Sequence, residues 1–219
     1  MAFSTAYAVW CWTVVGVLAP VCWIVAVVIP TIEWRWRILR RLFRSLGRST
    51  GTTPDVVGLE NLPASGPFVM VCNHSSYVDN FVLMSVMPIR FRFVGKSELL
   101  KSPFVSFPLR RLDTLFVERF DREQSTRDAD RVAHSIKGRT PLLFYPEGTF
   151  TRQPGLNRFH LGAFVAAAEN RIPVIPIAIK GTRSVLRDGT WFPRHRPLQV
   201  FIGDAIRPSG VVGPDSVWP

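Results

Sequence analysis

Cysteine is scarce in this 219-residue chain, and its placement rules out two classes at once. Cys11, Cys22 and Cys72 share no metal-ligand spacing, which excludes a disulfide framework and a zinc module. Lysine is rarer than expected beside arginine, 4 against 23, and neither an internal repeat nor a low-complexity tract is present. Charged residues are only 20% of the chain against 47% hydrophobic, and mean hydropathy is +0.16. Such a composition excludes intrinsic disorder and is apolar for a soluble domain. The length suits one domain with an appendage. A net charge of +11 predicts an anionic partner, whether nucleic acid, acidic lipid or phosphorylated substrate.

Charge is missing altogether from the first part of the chain, where Glu33 is the first charged side chain. Residues 6–32 form an apolar run longer than the roughly 20 residues a membrane-spanning helix needs. Trp10 and Trp12 mark one end, Trp34 and Trp36 the other, as interfacial aromatic belts would. A cleaved signal peptide wants a basic region first, and none precedes this run, so it reads as a retained anchor. Pro20 either kinks one transmembrane helix or divides two half-helices of a re-entrant hairpin.

The next stretch, residues 33–50, sets six arginines against Glu33. Read as a helix, Ile38, Leu39, Leu42, Phe43 and Leu46 share one face, while Arg37, Arg40, Arg41, Arg44 and Arg48 share another. A basic amphipathic helix beside an apolar span is expected to lie among headgroups and attract anionic lipid. The positive-inside rule then puts it, and everything after it, on the cytoplasmic side. A membrane location follows, taken as the bacterial inner membrane, with everything beyond this stretch facing the cytoplasm. With its basic cluster beside the anchor and no RNA-binding aromatic motif in sight, nucleic acid is set aside as a partner.

Residues 49–54 form a breaker-rich joint, dividing an anchor with its basic helix (1–50) from a second domain (51–219). Beyond it, strands are expected at 67–72, 91–94, 114–117, 141–145, 173–179 and 198–202. Helices are expected at 78–86, 102–109, 122–136 and 162–170. Several strands are apolar throughout, as strands buried on both faces are. The alternation argues an α/β fold with a mainly parallel central sheet and flanking helices.

Chemistry gathers where these strands end. His74 precedes Asp79 by five residues at a strand-to-helix turn. The carboxylate can therefore fold back onto one imidazole nitrogen and leave the other as a general base. Ser76 is the expected N-cap of the helix that follows. Glu147, Gly148 and Thr149 close a later strand, where backbone N–H groups could face an anion and Glu147 could orient them or bind a hydroxyl. Arg119 closes another and could grip phosphate. Ligands of open α/β sheets gather at this edge.

Asn73-His74-x-Ser76-x-x-Asp79 resembles the first block of the PlsC-type 1-acylglycerol-3-phosphate acyltransferases. Residues 115–119 are similar to their second block, Tyr145-Pro146-Glu147-Gly148-Thr149 to their third and residues 172–176 to their fourth. The residues 94–99 and Phe159-x-x-Gly162-Ala163 match lesser signatures. The resemblance implies acyl transfer from acyl-CoA or acyl-carrier protein to the hydroxyl of a lysophospholipid, without a cofactor or metal. It makes His74 the base, Asp79 its partner, Arg119 the phosphate ligand, and Glu147, Gly148 and Thr149 the lining of the acceptor site. Two positions depart from the pattern. Phe150-Thr151-Arg152 stands where Arg-Ser is usual, which displaces the guanidinium to Arg152, and His160 replaces a usual lysine. Alternative readings are the same chemistry on another acceptor, such as a lyso-ornithine lipid or glycerol-3-phosphate, and a catalytically silent, membrane-anchored lipid-binding protein. A serine hydrolase is disfavoured, because no Gly-x-Ser-x-Gly elbow is present.

Overall fold

A computed structural model describes residues 2–117, 132, 135, 140–150, 155–187 and 189–208. Its centre is the strand β2 (Val69–Cys72), apolar and buried at all four positions. Alternate side chains of a strand point to opposite faces. Met70 and Cys72 accordingly enter one apolar cluster, and Val69 and Val71 another. Around β2 lie β1 (Asp55–Val57), β3 (Arg92–Lys96), β4 (Leu115–Val117), β5 (Leu142–Phe144), β6 (Val174–Lys180) and β7 (Gln199–Ile202), in the order β1-β7-β6-β2-β5-β3-β4. Strands β6, β2, β5, β3 and β4 are parallel. Strand β7 runs antiparallel to β6, and β1 pairs with β7 in parallel.

The expected α/β fold with a mainly parallel sheet is present, and all six expected strands are found. Strand β1 was not expected: at three residues, mostly exposed, it carries too little pattern to be seen. Helices α3 (Asp79–Val86), α4 (Pro103–Arg111) and α5 (Gly162–Glu169) match three expected ones. The short α6 (Thr182–Val185) was not foreseen. The helix expected at 122–136 lies almost wholly outside the described residues.

At the N-terminus, α1 (Ala2–Val28) continues through Pro20 as one helix. The chain turns at residues 29–31, and α2 (Ile32–Thr50) folds back along α1. Tyr7 donates to the Thr50 carbonyl, Trp10 to that of Ser49, Trp12 to Trp191 and Trp23 to Phe104. Helix α1 is thus fastened along one side. Val9, Val17, Val21, Ile24 and Val28 remain exposed.

Two expectations for this region are corrected. Trp36 does not mark a membrane interface. It is 2% exposed, 4.8 Å from the Phe91 ring and 6.4 Å from Phe93. A side chain that large is worth about 1.5–3 kcal/mol when buried, and protein rather than lipid supplies the partner. The arginine face of α2 is also only in part free for headgroups. Arg40 donates to the Pro88 and Ile89 carbonyls at 2.8 Å, and Arg44 to Ser85 at 2.7 Å. These carbonyls, in the last turn of α3 and just beyond it, lack helical partners and attract cations. Arg37, Arg41 and Arg48 remain exposed.

Arg35 is buried at the hairpin turn. Its guanidinium donates to Ile29 at 2.6 Å, to Pro30 at 2.8 Å and to Arg111. Arg111 in turn donates to Val27 and Ile29, tying α4 to the same turn. Arg35→Ala should cost about 2–3 kcal/mol, because charged hydrogen bonds are lost and carbonyls are left unmet. At about 2–4 °C per kcal/mol for a domain of this size, Tm should fall by several degrees. Arg35→Lys should restore less than half of it, since an ammonium lacks the planar fork. A circular-dichroism melt in detergent measures both, and an unshifted Arg35→Ala curve would remove Arg35 from the list of structural residues.

Candidate functional site

The five parallel strands end on one edge of the sheet, where open α/β folds collect ligands. Asn73 follows directly after β2. Its side chain accepts from the Ile179 N–H at 2.7 Å and donates to the Ile179 carbonyl at 3.0 Å. The pairing with β6 is thereby prolonged by one side chain, and the chain is then free to turn away. His74 comes next, its N–H donating to Glu147 Oε1 at 2.8 Å.

Asp79 opens α3 and is 0% exposed. One oxygen, Oδ2, accepts from Ser75 N at 2.7 Å and Ser76 N at 2.9 Å, and lies 2.8 Å from His74 Nδ1. An oxygen already accepting from two peptide groups accepts from the imidazole too, which assigns the ring hydrogen to Nδ1. The lone pair is then on Nε2. Ser76 is not the expected N-cap. Its hydroxyl donates to the Leu186 carbonyl at 2.8 Å, and Asp79 itself holds the turn.

Aromatic rings fix the imidazole plane. Tyr145 stacks on it at 4.0 Å with a 17° interplanar angle, and Phe150 meets it edge-on at 4.6 Å. The Tyr145 hydroxyl donates to Asn80 Oδ1 at 2.8 Å, and burial pushes this phenol well above its ordinary range. Cys72 is raised as well, first by burial and then by the Asp79 and Glu147 charges. A thiol held neutral is no nucleophile. The His74 side chain keeps 14% of its surface exposed, so the ring is reachable from outside.

The residues expected together are brought together in part. Glu147 is buried within reach of His74, yet both its oxygens are occupied by backbone: Oε1 by His74 N and Oε2 by Asn157 N, each at 2.8 Å. Of the two roles expected of it, holding backbone N–H groups is the one these bonds fit, and Glu147 clamps two segments together. The Gly148 N–H donates to Tyr145 O at 2.9 Å, closing a turn at φ +74°, so it is not turned toward an anion. Thr149 is exposed beside them. Arg119 and Arg152 lie outside the described residues. Asn73, Asn157 and the Leu186 carbonyl were missed. Asn73 stands in the quoted motif but carries no chemistry of its own, and nothing in the sequence marks the other two.

Glu147→Gln puts an amide N–H against one of two backbone N–H donors. The expected loss is about 1–3 kcal/mol, read as a lower Tm with secondary structure unchanged. Hydrogen exchange should accelerate at Asn157 more than at residues of β2. Equal protection at Asn157 in both proteins would argue against the clamp.

A family model described as acyltransferase matches residues 53–180. The chain is 31% identical over 154 residues to a chloroplastic 1-acyl-sn-glycerol-3-phosphate acyltransferase of Brassica napus, covering 69% of this chain and 44% of that protein. It is 28% identical over 155 residues to the 1-acyl-sn-glycerol-3-phosphate acyltransferase of Saccharomyces cerevisiae, covering 69% and 51%. The chain thus spans about half the length of the curated relatives it matches. The crystal structure of the 1-acyl-sn-glycerophosphate acyltransferase PlsC from Thermotoga maritima superposes with TM-score 0.78 at 18% identity, over 98% of this chain and 89% of that one. The parallel sheet, its N-terminal apolar helix and the matched region place the chain in the acyltransferase family.

Proposed function

We propose that the protein moves an acyl group from acyl-CoA or acyl-carrier protein to the free hydroxyl of 1-acylglycerol-3-phosphate, giving phosphatidate for phospholipid synthesis. The observation that carries this reading is the His74–Asp79 pair, 2.8 Å apart, with Nε2 left to accept a proton. The acceptor hydroxyl gives its proton to Nε2, and its oxygen forms an ester bond to the thioester carbonyl carbon. The carbon–sulfur bond then breaks, and the proton passes to the departing thiolate. Asp79 keeps Nδ1 protonated and offsets the charge on the imidazolium. Arg119 and Arg152 hold the acceptor phosphate, and Gly148 and Thr149 line the acceptor site. Glu147 acts as a positioning residue through the His74 backbone. No metal or organic cofactor takes part.

The exposed apolar side of α1 sits in the membrane, with the arginines of α2 left exposed toward the cytoplasm. The relatives named above bear on substrate class, and the 25-residue apolar helix Ser4–Val28 bears on a membrane location; that the membrane is a bacterial inner membrane is part of the proposal.

His74→Ala should lower turnover about 10²–10⁴-fold, the usual worth of general-base assistance, leaving fold and membrane binding intact. Asp79→Asn should lose a large part of the same factor. The assay is thioester-dependent acylation of a panel including 1-acylglycerol-3-phosphate, glycerol-3-phosphate and a lyso-ornithine lipid. Near wild-type turnover in His74→Ala would sink the mechanism, and preference for another member of the panel would reassign the acceptor.

Arg119→Lys retains charge without the bidentate fork. The Michaelis constant for the acceptor should rise while that for the donor stays put, and adding Arg152→Lys should deepen the loss. An acceptor constant unchanged in both variants would take these arginines out of the site.

A further inference from the structure

Between β6 and β7 the chain makes a long excursion, residues 181–198, with four arginines against the single acid Asp188. It closes at its base. Gly181 has φ +100°, and a side chain there would meet the Pro197 carbonyl at 2.2 Å, so only glycine fits. Inside, the Arg194 N–H donates to Val185 O at 2.8 Å, and Thr190 donates to Arg187 O through its N–H at 3.1 Å and its hydroxyl at 2.8 Å. The excursion is a braced structure with its own cavity.

That cavity, about 270 Å³, is lined by Arg183, Arg187, Arg194 and Arg196 together with Ser184, Thr190 and Phe192. Among the described residues no carboxylate lines it. The guanidinium groups of Arg187, Arg194 and Arg196, with the Ser184 hydroxyl beside them, form a donor set suited to phosphate oxygens. The net charge expected of α2 as a lipid-facing surface is in part drawn inward by Arg35, Arg40 and Arg44. The excursion adds cationic surface to that of Arg37, Arg41 and Arg48 on α2.

Its neighbour is α1. A second hollow shares Phe192, Arg194 and Arg196 with the first and is completed by Ser4, Tyr7, Pro193 and His195. Trp12 donates to the Trp191 carbonyl at 2.8 Å with the rings 5.7 Å apart, and Tyr7 meets His195 edge-on at 5.6 Å. Trp191 is 77% exposed. Tryptophan beside an apolar helix, with arginine next to it, is the chemistry of a membrane at headgroup depth.

We propose that the arginine cavity of residues 181–198 binds the phosphate of an anionic phospholipid headgroup, through residues other than those assigned to the acyl acceptor. The inference rests on the reading of α1 as the membrane-facing helix. That continuity with α1 selects a lipid over a soluble phosphate or the phosphates of the acyl donor.

The test is flotation of the full chain with phosphatidylcholine vesicles and with an equimolar mixture of phosphatidylcholine and phosphatidylglycerol. Wild-type protein should float with both and prefer the mixture. Arg187→Gln with Arg194→Gln should weaken binding to the mixture about 25-fold, at roughly fivefold per arginine near an anionic surface. Binding to phosphatidylcholine should be unchanged, as should Tm. Arg37→Gln with Arg41→Gln removes the same charge from α2 and should have a much smaller effect. Equal losses in the two pairs would show diffuse attraction and overturn the site, as would no loss in either. Arginine-dependent stabilisation by inorganic phosphate alone, or a raised donor Michaelis constant in the Arg187, Arg194 pair with vesicle preference intact, would reassign the cavity to a soluble ligand. Wild-type protein that floats with neither vesicle would instead defeat the membrane reading of α1.

Discussion

A carboxylate with no contact with solvent stays charged only when hydrogen-bond donors replace the water it has lost. Asp79 meets that demand with one oxygen, which gathers two peptide N–H groups and an imidazole. Much of the surrounding chain conforms to this requirement. The turn from residue 74 to 79 must bring both amides to one point, so β2 has to end at Cys72 and α3 has to begin at Asp79. Asn73 ends the strand by pairing its side chain with Ile179, and Glu147 holds the first residue of the turn from a neighbouring strand. Ser76 fastens the far side to Leu186. The histidine is therefore oriented from three directions by groups of its own chain.

The parts of this arrangement legible in the sequence are those fixed by local spacing. His74 and Asp79 are close along the chain, and a strand-to-helix turn between them leaves few geometries. Runs such as Val69 to Cys72 announce burial on both faces. What escaped notice depends on partners far away in sequence. Asn157 meets Glu147 through a backbone N–H, and any residue type but proline has one. The reversal of β7 is a property of the connection before it, since residues 199–202 have the same apolar character whichever way they run. In α2 the helical period revealed an apolar face and a basic face correctly, but period says nothing of what will cover them. Trp36 found Phe91 and Phe93, and Arg40 and Arg44 found carbonyls of the α3 region.

The same reasoning separates two uses of arginine. Where a helix leaves carbonyls unmet, a guanidinium with several donors is a stabilising cap, and charge of that kind is consumed within the molecule. Arginines that line one cavity repel one another, and the segment that carries them is braced by the bonds from Arg194 to Val185 and from Thr190 to Arg187. Counting net charge merges these cases.

The burial of Trp36 has a consequence for biogenesis. Its aromatic neighbours Phe91 and Phe93, and the β7 residue Val200 that shares its cluster, are synthesised long after it. As the chain leaves the ribosome, α1 and α2 emerge first, with a large indole exposed and no sheet to receive it. The hairpin cannot mature as an independent anchor. Its packing is complete only once the strands that supply those partners have been made. A halt in translation before residue 199 would then leave an intermediate with its core open, a natural substrate for quality-control proteases.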